Sequence, residues 1–122
     1  MKSLLNNSRK HDISFHTSGK IDISARVAHK LSLAPGDVID IAQEDREWYL
    51  YVKLRAGSYA GRHEGRVWAT TRGKGTFRTA CKALTSAVLS SAGAAGRLRC
   101  PCGAEIERDG IKYITIIHRC SL

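Results

Sequence analysis

Apolar and polar residues alternate in two short runs near the start of the chain. Residues 13–16 read Ile-Ser-Phe-His and residues 20–23 read Lys-Ile-Asp-Ile, which is the two-residue period of a strand with one buried face. The residues between them, 17–19, are Thr-Ser-Gly, a combination that favours a turn. The pattern predicts a β-hairpin with two buried isoleucines.

The period then changes to that of a helix. Within residues 25–31, Val27, Ala28 and Leu31 fall on one face, while the opposite face is basic. Ser24 comes directly before this run and is a favourable N-cap residue. A short amphipathic helix is therefore predicted after the hairpin.

A second hairpin is predicted after this helix. Pro35 and Gly36 mark a turn before an alternating run at 38–41, and alternation returns at 48–54 after a charged tip. Residues 56–66 contain three glycines and little periodicity, which indicates a linker.

The second part of the chain repeats this order of elements. The predicted elements are strands at 67–71 and 76–79, a helix at 80–89 with Ala80, Leu84, Ala87 and Val88 on its apolar face, a strand interrupted by Pro101 and Gly103 within 97–108, and a strand at 111–117. Residues 19–24 match residues 75–80 at an offset of 56 positions. Because the two segments share almost no identity, the repeat is a hypothesis from pattern alone.

Part of the chain resembles a known DNA-binding family. Residues 19–24 read Gly-Lys-Ile-Asp-Ile-Ser, the helix at 26–31 is followed by Leu33, and residues 34–41 read Ala-Pro-Gly-Asp-Val-Ile-Asp-Ile. This order resembles the AbrB/MazE/SpoVT family of swapped-hairpin domains over about residues 13–54. The resemblance implies that two ββαββ halves interleave in one small barrel, and that Lys20 and Arg26 contact DNA.

The expected fold class is therefore α+β, a small split or swapped-hairpin β-barrel. We expect a flexible basic arm at 1–12, an AbrB-like half at 13–55, a linker at 56–66 and a diverged, basic ββαββ-like half at 67–122. Two arrangements remain open: one chain builds its own pseudo-dimer, or two chains form a homodimer to which the second half is added.

The charge of the chain is concentrated in one segment. Twenty lysines and arginines face eleven aspartates and glutamates, which gives a net charge of +9. Residues 53–99 contain ten of these cations and a single acid, Glu64, so they carry the whole excess. A basic surface can serve solubility alone, but this concentration favours an anionic partner, with nucleic acid as the first candidate.

A turn within this segment is a candidate phosphate site. Residues 72–75 read Arg-Gly-Lys-Gly, where glycine would let the backbone approach a phosphate, although a solvated hairpin tip would need the same residues. The predicted nucleic-acid contacts are Lys20, Arg26, Arg66, Arg72, Lys74, Arg78 and Lys82.

Aromatic residues offer a second way to bind nucleic acid, because unpaired bases stack on exposed rings. In so small a protein we expect Trp48, Tyr51 and Trp68 to lie in the core. Tyr49 and Tyr59 are then the better candidates for exposed rings.

The cysteines and histidines do not form a clear site. Cys100, Cys102, His118 and Cys120 carry suitable zinc ligands, but a single residue between the first two is shorter than the usual spacing. We expect free thiols, with no metal and no cofactor. The five histidines accompany no nucleophile motif or phosphate-binding glycine loop, so we expect no enzyme.

The chain has no apolar run of about 20 residues and no signal-peptide pattern, so we expect a cytoplasmic protein without a membrane partner. The expected function is binding of duplex DNA, mainly through phosphates, by a transcriptional regulator or accessory DNA-binding factor. The alternatives are an RNA or single-stranded DNA binder, and a protein-binding module (inhibitor, antitoxin or assembly factor) on an acidic partner.

Overall fold

A computed structural model describes residues 11–70 and 74–118, which form nine strands and two helices. The elements are, in chain order, β1 (Ile13–Phe15), β2 (Lys20–Ile23), α1 (Ala25–Leu31), β3 (Val38–Glu44), β4 (Glu47–Leu54), β5 (Trp68–Ala69), β6 (Phe77–Ala80), α2 (Lys82–Ala92), β7 (Leu98–Cys100), β8 (Cys102–Arg108) and β9 (Ile111–Ile116). Neither helix has the length and apolar character needed to cross a bilayer.

The strands form two antiparallel sheets. The first sheet has the order β5-β6-β2-β1-β7, and the second has the order β3-β4-β9-β8. The fold is therefore a small, β-rich α+β domain, as the sequence predicts. In the described part of the chain neither sheet closes into a barrel.

The first hairpin and α1 confirm the sequence prediction. Ile13 pairs with Ile23 and Phe15 with Ile21, and all four side chains are buried. Ser24 caps α1 by accepting a hydrogen bond from the Val27 amide at 3.3 Å. Local signals therefore suffice for these elements.

The predicted helix at 80–89 is shifted, and its apolar face is confirmed only in part: Val88 is buried and Leu84 packs against the core, whereas Ala80 and Ala87 are exposed. Ala80 pairs with Lys20 in the first sheet, so α2 begins two residues later, after the N-cap Cys81. The buried residues of α2 are Thr85, Val88 and Leu89. The polar Thr85 is buried because its hydroxyl donates to the Gly19 carbonyl at 3.2 Å.

Three strand pairings join the first part of the chain to the second: β1–β7, β2–β6 and β4–β9. In β2–β6, Asp22 lies opposite Arg78, which is 56 positions later, the offset expected from the sequence pattern. In β4–β9, Leu50 lies opposite Ile114, which is 64 positions later. The same separation of 64 relates the residue pairs that close the two hairpins of the second sheet, Glu44 with Glu47 and Arg108 with Ile111. The β2–β6 and β4–β9 pairings thus join equivalent positions, as in an isologous contact.

The tips of the hairpins in the first sheet lie against helices of the opposite part of the chain. Gly19 has a φ of +100°, and a Cβ there would lie 3.3 Å from the Lys82 Cα of α2. Gly75 has a φ of +83°, and a Cβ there would lie 3.3 Å from the Ala25 Cβ of α1. The glycine at position 75 therefore serves helix packing, beyond the phosphate approach expected from the sequence.

A single hydrophobic core draws residues from both sheets and both helices, among them Phe15, Leu31, Leu50 and Val67. The irregular segment predicted as a linker packs onto this core at its end. Gly65 is buried, and its carbonyl accepts from the Ile39 amide at 3.0 Å.

The predicted flexible arm falls mostly outside the described residues, which begin at position 11. Its last residue, Asp12, belongs to the ordered fold: it is 5% exposed, and its amide donates to the Cys100 carbonyl at 2.9 Å.

Candidate nucleic-acid interface

One row of side chains crosses the outer face of the first sheet. Trp68 of β5 lies opposite Arg78 of β6, Arg78 opposite Asp22 of β2, and Asp22 opposite Ser14 of β1. Side chains that face each other across strands lie about 5 Å apart at Cβ. The row therefore places an aromatic ring, a cation and a carboxylate side by side.

A groove of about 940 Å³ opens beside the Trp68 end of this row. We call it the basic groove, and its lining residues are Lys20, Arg62, His63, Arg66, Trp68, Ala69, Thr70, Arg78, Thr79 and Ala80. Four of them are permanent cations, and none of the described lining residues is acidic. Such a surface attracts anions.

Arg66 is held in place by neutral groups. Its guanidinium lies 5.5 Å from the centre of the Tyr59 ring and 5.4 Å from that of the Trp68 ring. Its Nε donates to the Tyr59 hydroxyl at 2.9 Å and a terminal nitrogen donates to the Gly61 carbonyl at 3.1 Å. The side chain is oriented, yet no carboxylate in the described part of the chain neutralises its charge.

Trp68 is 52% exposed, so the prediction that it lies in the core is wrong. Its neighbour Val67 is fully buried. Because successive side chains of a strand point to opposite faces, the burial of Val67 turns Trp68 towards the groove. The prediction for Trp48 is confirmed, since it is 3% exposed, whereas Tyr49, Tyr51 and Tyr59 are all partly buried.

Arg78 is partly neutralised by Asp22. Its Nε donates to Asp22 at 2.5 Å, and His16 lies 2.9 Å from the other carboxylate oxygen. Burial raises the pKa of Asp22, but the hydrogen bonds from Arg78 and His16 together lower it below its ordinary value. The same hydrogen bond raises the pKa of Arg78. Asp22 thus competes with any anion for Arg78.

We expect the substitution Asp22→Asn to strengthen anion binding by roughly fivefold, because it removes the carboxylate that competes for Arg78 in a partly exposed ion pair. The measurement is the affinity for a labelled oligonucleotide at low salt. Asp45→Asn, an equal change of charge in the exposed turn after β3, is the control and should have a smaller effect. Equal gains in both variants would contradict a local role for Asp22.

A second, smaller cavity of about 240 Å³ lies at the other end of the row. Its lining includes Asp12, Ser14 and Asp22. Asp22 and Arg78 face each other at the centre of the β2–β6 pairing, and the two sides of the sheet are related about this pair. Asp12, Ser14 and Asp22 therefore occupy the positions equivalent to Arg66, Trp68 and Arg78, respectively. At these equivalent positions the basic groove has cations and an indole, whereas the smaller cavity has two carboxylates and a hydroxyl; Arg78 lines both cavities.

The predicted contact residues divide into several groups. Lys20, Arg66 and Arg78 come together in the basic groove. Arg26 instead donates to Asp12 at 2.6 Å and to the Cys102 carbonyl at 2.8 Å. Lys74 and Lys82 are exposed outside the lining of the groove, and Arg72 lies outside the described residues.

Among the basic and aromatic residues of the groove, three were absent from the predicted contacts: Arg62, His63 and Trp68. Arg62 and His63 lie in the segment interpreted as a linker. The concentration of cations in residues 53–99 was a signal for Arg62, but no sequence signal distinguished an outward from an inward Trp68.

The candidate zinc ligands are not assembled in the described residues. His118 stacks on Trp48 with ring centres 3.8 Å apart, and its Nε2 lies 2.9 Å from the Arg46 carbonyl. Cys100 and Cys102 are buried, and Cys120 lies outside the described residues. Across residues 11–70 and 74–118, no group of three or more His, Cys, Asp or Glu side chains is arranged to hold a metal ion.

Comparisons of the chain with models of protein families, with curated proteins and with solved structures found no match.

Proposed function

We propose that this protein binds nucleic acid in the basic groove, mainly through phosphates. The observation that carries this proposal is the set of four cations that line one groove without a carboxylate in its described lining. Lys20, Arg62 and Arg66 form no ion pair in the described part of the chain, so they are available to an external anion. Each phosphate that they neutralise would release counterions.

A polyanion fits the groove better than an isolated phosphate does. The groove extends over strands β2, β5 and β6 and the segment before β5, and its cations lie on several of these segments. The net charge of +9, carried wholly by residues 53–99, adds long-range attraction for a polyanion. Thr70, which is partly buried, adds a hydroxyl of the kind that hydrogen-bonds to phosphates.

We also propose that the chain is a pseudo-dimer of two ββαββ halves, similar to the swapped-hairpin domains that residues 13–54 resemble. The register supports this proposal, because equivalent positions face each other in two of the pairings between halves, β2–β6 and β4–β9. The hairpin tips support it as well, since Gly19 and Gly75 each lie against the helix of the opposite half. A single chain would then suffice for binding.

The test compares two double variants of equal charge. Lys20→Gln with Arg62→Gln removes two groove cations, whereas Lys30→Gln with Arg46→Gln removes two cations from α1 and from the β3–β4 turn. Affinity for labelled oligonucleotides is measured over a salt series, with the stoichiometry taken from mass in solution. We expect the groove variant to bind about tenfold more weakly and its log–log salt slope to be shallower by about 1.5.

Equal losses of affinity in the two double variants would mean that the attraction is non-specific, and would overturn the groove as the binding site. Absence of salt-dependent binding to any oligonucleotide would overturn nucleic-acid binding itself. In that case an acidic protein partner would be the next candidate for the basic groove.

A further inference from the structure

Trp68 lies among the cations of the basic groove and is 52% exposed. Exposed indole rings are enriched at binding interfaces, because the ring has a large apolar surface and a polar N–H group. We infer that Trp68 is a stacking platform for an unpaired base, and that the ligand of the groove is a single-stranded nucleic acid. This inference depends on the proposed function, and it names the class of ligand.

The Trp68 ring is held in a fixed orientation by its neighbours. The Arg66 guanidinium lies over the Trp68 ring, and Arg66 is itself fixed by Tyr59 and by the Gly61 carbonyl. Tyr59 is fixed in turn, because its hydroxyl donates to the Gly36 carbonyl at 2.6 Å and its ring packs edge-on against His63. A rigid ring loses little conformational entropy when a base stacks on it.

Cations stand at a suitable distance from the ring for the phosphates of the same strand. Arg78 is the cross-strand neighbour of Trp68, about 5 Å away at Cβ, and Lys20 and Arg62 line the same groove. Bases that stack on aromatic rings while the backbone follows a basic groove are the usual mode of single-strand binding. Indole stacking tolerates any base, so this contact favours affinity over sequence preference.

A duplex would make poor use of this arrangement. Its base faces are covered by neighbouring bases, so Trp68 would reach them only after a step of the duplex is unstacked. The smaller cavity related to the basic groove carries Ser14 at the position of Trp68 and carboxylates at the positions of Arg66 and Arg78. We therefore expect one single-stranded site for each chain, a proposal that differs from the duplex binding expected from the sequence.

The experiment uses the full chain and four probes: oligo(dT) and oligo(U) of about 12 nucleotides, a spacer strand of the same length without bases, and a blunt duplex. Each probe is titrated at several salt concentrations against the unaltered protein, Trp68→Ala and Trp68→Phe. Binding is followed by anisotropy of the labelled probe and by tryptophan fluorescence. Thermal unfolding of each variant confirms that it is folded, which an exposed position on an edge strand should allow.

The unaltered protein should bind oligo(dT) or oligo(U) about tenfold or more tightly than the baseless strand, with quenching of Trp68 fluorescence. Trp68→Ala should lose that advantage while keeping the salt slope, and Trp68→Phe should keep part of it. The better of the two base-containing probes shows which strand the groove prefers, since oligo(dT) and oligo(U) differ in the sugar and in the C5 methyl group of the base.

Equal affinity of Trp68→Ala and the unaltered protein for oligo(dT) and oligo(U) would overturn the stacking role, as would tighter binding of the duplex. If salt-dependent binding persists in those cases, the phosphate contacts of the proposed function stand. Failure of the proposed function has a different result, namely no salt-dependent binding to any of the four probes.

Discussion

Replacing Asp12 with alanine is expected to lower the free energy of unfolding by about 3 kcal/mol at neutral pH. The Asp12 side chain is only 6% exposed, and it accepts hydrogen bonds from two nitrogens of Arg26 at 3.2 and 2.6 Å. It also accepts from the Cys102 amide at 2.8 Å and from the Ser24 hydroxyl at 3.1 Å. Alanine would leave the Cys102 amide without this acceptor inside the fold. Because Arg26 is 40% exposed and can rehydrate, the expected loss is at the low end for a broken buried pair.

Chemical denaturation of Asp12→Ala and of Glu47→Ala measures this loss. Glu47 is exposed and has no ion pair in the described part of the chain, so its substitution should change the free energy of unfolding by no more than about 0.5 kcal/mol. A loss below 1 kcal/mol in Asp12→Ala would show that the contacts of Asp12 contribute little to the fold.

The pH dependence of the same variant provides a second readout. Burial raises the pKa of Asp12, but the bonds from Arg26, the Cys102 amide and Ser24 together lower it below the ordinary value of 3.8. A carboxyl whose pKa is lower in the folded than in the unfolded state stabilises the fold fully above the unfolded pKa. That stabilisation is lost as the pH falls through the folded pKa. The difference in free energy of unfolding between the unaltered protein and Asp12→Ala should therefore be constant above about pH 5 and should narrow below pH 4.

Local patterns were sufficient to predict the first half of the chain. The bounds of β2 and α1 are those predicted, because alternating isoleucines, the Ser24 cap and the apolar face of α1 all lie within twelve residues. These signals act between near neighbours and do not depend on the rest of the fold. The second half has weaker signals, and α2 moved because Ala80 is held by a strand distant in sequence.

The candidate site depended on long-range pairing and was predicted only in part. Cation count predicted a basic surface, but Lys20 and Arg66 meet only because β2 pairs with β6 and β6 with β5. Arg26 and Arg66 were both predicted to contact nucleic acid. The fold ties Arg26 to the buried Asp12 and leaves Arg66 to neutral partners. The role of a cation is thus decided by the acids that folding brings near it.

Gly65→Ala is expected to destabilise the protein by about 3 kcal/mol or more, because two separate costs meet at this position. Gly65 has a φ of +85°, and a Cβ there would lie 2.9 Å from the Ile39 carbonyl oxygen. The backbone at this point cannot move freely, since the Gly65 carbonyl accepts from the Ile39 amide and the next residue, Arg66, pairs with Val38. Relief of the contact would break the junction that connects the groove segment to β3.

Gly61→Ala separates the two costs, because Gly61 has a nearly identical φ of +83° but no atom within 4 Å of an added Cβ. Its free energy of unfolding should fall only by the cost of the left-handed backbone, about 1 to 2 kcal/mol. Denaturant unfolding of both variants then gives the steric cost at position 65 as their difference. Equal losses would mean that the segment before β5 yields easily, and a yielding segment would not hold Arg66 and Trp68 in a fixed orientation. A clearly larger loss at position 65 would instead indicate that the groove is anchored to the core at Ile39, as preorganised binding requires.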